Sequence, residues 1–391
     1  MAARELKPGV HAVGVLDWDK KLFDDLIPLP EGTSYQSYVV KGAEKTALID
    51  AVDPAFESEF MANLSAAGVT KLDYLIANHA EQDHSGCLPA VLARFPEAKV
   101  VANAKCSEYL QCHLHIPSDR CTVVADGATL DLGGRTLQFV FAPWVHWPET
   151  MFTHLREDKI LFTCDFLGSH RATTDLFATD EHATYLAAKR YYAEIMAPYR
   201  TKLGAYLDKV EALAPDMVAP SHGPIHNRPR FIIDAHREWI ADKPKNLALV
   251  AYVSMHGSTK MLVDRLVNAL MAAGVGVQRI NLADMDLGDL AMGLVDAATL
   301  VLGSSTVLTG PHPAAVSATY LLNALRPKAR FATFLNSYAW GGKTTDILKG
   351  MMNAVKAEYL DAVQVKGMPT EEDLKAVDRL AATIAAKHAS L

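Results

Sequence analysis

The stretch Leu72-Asp73-Tyr74-Leu75-Ile76-Ala77-Asn78-His79-Ala80-Glu81-Gln82-Asp83-His84 runs from an apolar segment straight into a cluster of metal-capable side chains. Residues 72–77 read as a buried strand, so His79, Glu81, Asp83 and His84 fall in the loop that leaves its end. His79, Glu81 and Asp83 alternate with a period of two, which in an extended loop points all three to one side, with His84 following directly. A helix would scatter them, so an extended loop is expected over residues 79–84.

Further candidate ligands follow other strand-like runs of the first half. His146 lies in Pro143-Trp144-Val145-His146-Trp147-Pro148, and Asp165 follows Ile160-Leu161-Phe162-Thr163-Cys164. His222 follows Met217-Val218-Ala219, in Pro220-Ser221-His222-Gly223. Four strand ends on one rim can converge on a single site with four histidines and three carboxylates. Seven ligands suit two metals, with one carboxylate, Asp165, as the bridge. His226, four residues past His222, is ambiguous between a supporting role and none. The remaining histidines lack this context and are read as ordinary surface or hydrogen-bonded residues.

The chain has 391 residues, half of them hydrophobic, enough for two domains rather than one. Its net charge of -7, with no basic stripe, argues against a nucleic-acid partner. The N-terminus MAARELKPGV lacks the apolar core of a signal peptide, and no window has the uninterrupted length that spans a bilayer. The longest apolar run, residues 290–302, carries Asp296 inside it. A soluble cytoplasmic protein without membrane contact is expected. Five cysteines without a CxxC pair indicate neither a disulfide framework nor a thiolate metal site.

The rhythm changes near residue 240. Before it, short strands such as 136–141 alternate with helical patterns at 54–67 and 88–95, as in an α/β sandwich. After the charged hinge Lys243-Pro244-Lys245, the pattern becomes strand then helix. Strands are expected at 247–253, 275–282, 299–303, 331–335 and 359–365, and helices at 259–273, 314–324, 347–356 and 371–387. Five βα units imply a doubly wound parallel sheet, with ligands beyond the strands' carboxyl ends. The domains are expected at residues 1–244 and 245–391.

Three loops at that sheet edge carry ligand chemistry. Ser254-Met255-His256-Gly257-Ser258-Thr259 presents hydroxyls and backbone donors at a helix N-terminus, which can hold a phosphate without a lysine. It is neither GxxxxGK[ST] nor GxGxxG. Ser304 and Thr306 in the second loop, and Asn336, Ser337, Tyr338, Trp340 and Gly341 in the third, add polar groups and an aromatic pair able to enclose an isoalloxazine ring. FMN is the expected ligand.

Together these motifs resemble the flavodiiron proteins, in which a metallo-β-lactamase-like αββα sandwich precedes a flavodoxin-like domain, and the likeness covers essentially the whole chain. It implies one iron held by His79, Glu81 and His146 and another by Asp83, His84 and His222, with Asp165 between them; some members hold the equivalent of His84 away from the metal. It also implies reduction of dioxygen to water, of nitric oxide to nitrous oxide, or of both, and a head-to-tail homodimer or a tetramer of such dimers. Tyr192 matches a family stretch near the iron pocket and is a candidate proton or hydrogen-bond donor. No appended rubredoxin-like cysteine set or nicotinamide-binding fold is found, so electrons are expected from a separate rubredoxin or, as in some relatives, a reduced deazaflavin coenzyme. The chain departs from the family where Ser305 replaces a proline, Leu308 and Thr309 replace asparagines, Asn336 and Ala339 replace glycines, and His226 replaces an aromatic residue.

Two other readings compete. One is a binuclear zinc hydrolase of the metallo-β-lactamase scaffold with a flavodoxin-like accessory domain. Such hydrolases carry HxHxDH, whereas Glu81 occupies the second position here, and a shell of imidazole and carboxylate favours iron in its higher oxidation state. The other is a flavin electron carrier with a degenerate first domain, disfavoured by the full ligand set.

Overall fold

The computed structural model describes residues 3–391; Met1 and Ala2, which begin the N-terminal stretch MAARELKPGV, lie outside them. Two units emerge from the pattern of contacts. The first contains the described residues up to Phe23, Leu29–Tyr191 and Tyr199–Ile240, the second Asp24–Pro28, Tyr192–Pro198 and Ala241–Leu391. A single cut at residue 244 therefore does not describe the division. Composition marks where the rhythm changes along the chain, but not which short excursions pack elsewhere.

In the first unit a seven-stranded sheet runs in the order Arg4–Lys7, Val10–Ala12, Tyr38–Lys41, Thr46–Ile49, Tyr74–Ile76, Lys99–Asn103 and Cys121–Val124. A five-stranded sheet runs Thr129–Asp131, Thr136–Phe141, Met151–Leu155, Ile160–Cys164 and Met217–Pro220. The central strands of the first sheet are buried on both faces, and period-two alternation divides their side chains between two cores. Tyr38, Val40, Ala47, Ile49 and Ile76 meet Phe139, Met151, Ile160 and Phe162 of the other sheet. Val39, Leu48, Leu75 and Val100 pack outward against Phe60, Leu64, Val91 and Leu110 of the covering helices. Each such fully buried side chain contributes roughly 1.5–3 kcal/mol. On the outer face of the second sheet, Phe152 stacks on Phe166 at 5.6 Å, and Phe166 meets His236 of the helix Arg230–Ile240 at 5.5 Å. The layers are thus α, β, β, α.

In the second unit the parallel strands lie in the order Gly276–Asn281, Lys245–Val253, Ala297–Val307, Phe331–Tyr338 and then Glu358–Tyr359 with Val363–Lys366. Numbered along the chain this is 2-1-3-4-5, the flavodoxin-like order. The apolar run at 290–302 is not one element. It is the end of the helix Leu287–Asp296 and the start of the strand Ala297–Val307, and Asp296 is paired with Lys245 at 3.2 Å. The expected strand 359–365 is split in two. Among the described residues no helix is long and apolar enough to cross a membrane.

Candidate metal centre and flavin cleft

Each candidate metal ligand leaves the carboxyl end of a strand. His79 follows Tyr74–Ile76, His146 follows Thr136–Phe141, Asp165 follows Ile160–Cys164 and His222 follows Met217–Pro220. The loop after His79 is not extended throughout. Glu81 caps a helical turn, Gln82–Ser85, in which the amides of His84 and Ser85 donate to the Glu81 carbonyl. The turn does not disperse the ligands, as the expectation for a helix held. It carries Asp83 and His84 to a second position and leaves His79 and Glu81 at the first.

All seven side chains come together as two groups sharing one carboxylate. In the first, Glu81 Oε2 lies 3.1 Å from His79 Nε2 and 3.2 Å from His146 Nε2. In the second, His84 Nε2 and His222 Nε2 lie 3.3 and 3.2 Å from Asp83. Asp165 faces both. Its Oδ2 is 3.6 Å from His79 and from His146, while its Oδ1 is 2.8 Å from His84 and 3.3 Å from His222.

The residues fit a pair of metal ions. Asp83 Oδ1, His146 Nε2, Asp165 Oδ2 and His222 Nε2 are buried, face the cluster and make no directed hydrogen bond. Leaving such groups unsatisfied is costly unless cations complete them. The four imidazoles and three carboxylates offer nitrogen and oxygen donors without thiolate, which suits iron. The electrostatics agree: burial alone would lower the His222 pKa, but the carboxylates of Asp165 and Asp83 outweigh it and hold it at about 10. Burial likewise opposes ionisation of Asp165, and His84 and His222 overcome it and draw its pKa well below the usual carboxylate range.

Several supporting groups were invisible in the sequence. Glu149 Oε1 accepts from His79 Nδ1 at 2.6 Å and from the Ala80 amide at 3.1 Å. Asp50 accepts from the Asn78 amide at 2.8 Å and from its side chain at 2.9 Å, fixing the residue before His79. His222 Nδ1 donates to the Ser34 carbonyl at 2.7 Å, and Tyr38 donates to the Pro220 carbonyl at 2.6 Å. Tyr191, the neighbour of the expected Tyr192, donates its hydroxyl to Asp165 Oδ1 at 2.7 Å. Tyr191 ends the helix Glu181–Tyr191, and Tyr192 opens the wider turn Tyr192–Met196, which groups with the second unit. His226 is buried, with Nε2 3.0 Å from the Leu167 carbonyl, a hydrogen bond remote in kind from metal ligation.

In the second unit a cavity of about 500 Å³ opens beyond the strand ends, in the size range of small-ligand sites. Of the expected flavin residues, Met255, His256, Ser258, Thr306, Ser337, Tyr338 and Trp340 line it. Ser305, Leu308, Thr309 and Ala339, four of the positions that depart from the family, line it as well. The other expected residues hold the loops that carry this lining. Ser254 Oγ accepts from the Gly257 and Lys260 amides at 3.2 Å, holding the loop that opens the helix Ser258–Ala272. Thr259 Oγ1 bonds Ser305 at 3.1 Å and Ser337 at 2.7 Å, joining all three loops. Ser304 accepts from the His312 amide, Asn336 donates to the Ser304 carbonyl at 2.7 Å, and Gly341 turns at φ +74° beside Thr309. A helix N-terminus, clustered hydroxyls and an aromatic wall fit a flavin mononucleotide.

Comparison with known proteins agrees with this geometry. A family model described as ODP family beta lactamase matches residues 33–223. A nitric oxide reductase of Moorella thermoacetica is 33% identical over 97% of both chains. Among solved structures, the rubredoxin oxygen:oxidoreductase of Desulfovibrio gigas superposes with a TM-score of 0.95 at 28% identity, covering 99% of each chain. The flavodiiron protein of Giardia intestinalis gives 0.94 at 25% identity over 100% of this chain and 97% of that one. Fold, domain order and sequence likeness along nearly the full length lead to one conclusion: the chain belongs to the flavodiiron proteins, which carry a diiron centre and FMN.

Proposed function

We propose that this protein reduces dioxygen to water, nitric oxide to nitrous oxide, or both, at a diiron centre held by His79, Glu81, Asp83, His84, His146, Asp165 and His222, with electrons passing through FMN. The observation that supports this most strongly is Asp165, whose two oxygens each face one of two imidazole and carboxylate groups. Two ferrous ions and a reduced flavin together supply the four electrons that dioxygen needs for complete reduction.

The chain's own residues prepare this site. His79, His84, Asp165 and His222 are almost wholly buried, while the Glu81 and Asp83 side chains keep 20% and 16% exposure, so a small gas enters from the Glu81 and Asp83 side. Burial and the Asp165 charge push the Tyr191 hydroxyl well above its ordinary pKa, so it stays protonated and keeps donating to Asp165. Glu149 and Ser34 set the orientation of His79 and His222 by holding each ring's other nitrogen.

The metal cluster and the flavin cleft belong to different units, which supports a head-to-tail homodimer, possibly paired into a tetramer, with each flavin serving the partner's metals. The donor is an external rubredoxin, as the name of the Desulfovibrio protein implies for that enzyme, with a reduced deazaflavin coenzyme as the second candidate. A cytoplasmic location accords with the absence of a membrane-length apolar helix among the described residues. Anaerobic stopped-flow mixing of the reduced protein with dioxygen and with nitric oxide tests the reading. At least one gas should reoxidise the flavin far faster than it reoxidises free reduced FMN, and reoxidation no faster than that of free FMN by either gas would refute it.

A further inference from the structure

The two halves of the cluster are backed differently. His79 Nδ1 meets the fully buried Glu149 carboxylate at 2.6 Å, and the same oxygen takes the Ala80 amide at 3.1 Å. The other oxygen, Oε2, is buried with no hydrogen bond, so the charge of Glu149 is directed onto His79. Asn103 donates to the Glu149 carbonyl and fixes this loop. On the opposite side, His222 Nδ1 meets only the neutral Ser34 carbonyl at 2.7 Å, and His84 Nδ1 is buried without a partner. Among the described residues, His79 is the one imidazole of the four whose outward nitrogen is held by a carboxylate.

We propose that Glu149 is a positioning residue that makes the two metal positions unequal, the His79, Glu81 and His146 position holding its ion in the higher oxidation state more strongly than the Asp83, His84 and His222 position. This rests on the diiron reading above. A carboxylate accepting from an imidazole N–H moves negative charge onto the ring and strengthens donation from the other nitrogen, which faces the metal; a neutral carbonyl does so far less. When an external reductant delivers electrons singly, the first therefore goes to the Asp83, His84 and His222 position, and the second, at a more negative potential, to the position backed by Glu149. Each step converts one ferric ion to ferrous and takes one electron from the reductant.

The test is an anaerobic dithionite titration of the holoprotein, with mediators, followed by electron paramagnetic resonance of the one-electron-reduced state. The FMN absorbance, which reports the other unit, serves as the control for folding. In Glu149→Gln the more negative step should move to a more positive potential while the other stays, so the half-reduced state shrinks. Glu149→Asp keeps the charge and should retain most of the wild-type separation. Equal movement of both steps, no movement with two irons bound, or the same collapse in both variants would overturn the proposal. If Glu149→Gln binds metal weakly, chelator competition decides. Loss of one iron of the two, with affinity lowered about 10- to 100-fold, supports the inequality, and concerted loss of both contradicts it. A wild-type protein without iron would instead remove the diiron reading beneath the proposal.

Discussion

Replacing Tyr38 with phenylalanine isolates one of the bonds that holds the rim of the metal site. The Tyr38 hydroxyl donates to the Pro220 carbonyl at 2.6 Å, two residues before His222, while its ring packs against Phe162 at 4.9 Å. Tyr38→Phe leaves the ring in place and deprives a buried carbonyl of its donor, which costs about 1–2 kcal/mol. At roughly 2–4 °C per kcal/mol for a unit of this size, the melting temperature should fall by about 2–8 °C. Tyr38→Ala also removes the ring and leaves a cavity, adding about 3–5 kcal/mol. Differential scanning calorimetry gives the melting temperatures, and the rate of iron loss to a chelator reports on the His222 loop. Iron should leave Tyr38→Phe faster than wild type with FMN unchanged. A Tyr38→Phe protein as stable as wild type, or as unstable as Tyr38→Ala, would refute the reasoning.

Tyr191→Phe removes a charge-assisted hydrogen bond from Asp165, worth about 1.5–3 kcal/mol, and should lower steady-state turnover about tenfold with both cofactors retained, whereas Tyr192→Phe should stay within about twofold of wild type. Equal losses in the two variants would reverse the assignment of Tyr191. His236 supplies a pH test. Burial lowers its pKa from 6.5 to about 3, so the unfolded chain binds a proton that the folded chain refuses. This contribution is fully present above pH 6.5 and is lost as pH falls toward 3, with a slope of about 1.4 kcal/mol per pH unit. Denaturant unfolding of wild type and His236→Gln across that window should show the slope diminished in the variant, and parallel curves would contradict it.

The sequence made the candidate ligands legible because the chemistry concentrates them. His79, Glu81, Asp83 and His84 stand within one loop, and each remaining ligand follows an apolar strand, a context visible without tertiary information. The parallel, doubly wound sheet of the second unit was legible for a similar reason, since a strict strand-helix rhythm leaves few right-handed arrangements. The helical turn Gln82–Ser85 was not, because four residues carry too little periodicity to distinguish a turn from an extended loop. The helix Leu287–Asp296 merged with the next strand, since both are apolar and no turn residue separates them. Glu149, Tyr191 and Ser34 matter through contacts spanning 70, 26 and 188 positions, which no local pattern encodes. Tyr191 was passed over beside Tyr192 for a related reason: adjacent residues on a helix differ by a rotation of about 100°, and only packing decides which one faces the site.

The central claim is that seven side chains hold two redox-active ions bridged by Asp165. Iron, zinc and flavin analysis of the purified protein together with Mössbauer spectroscopy tests it most directly. The account predicts two irons and one FMN per chain, with the irons magnetically coupled in wild type and the coupling lost in Asp165→Ala. Zinc in place of iron, or two uncoupled irons in wild type, would contradict it.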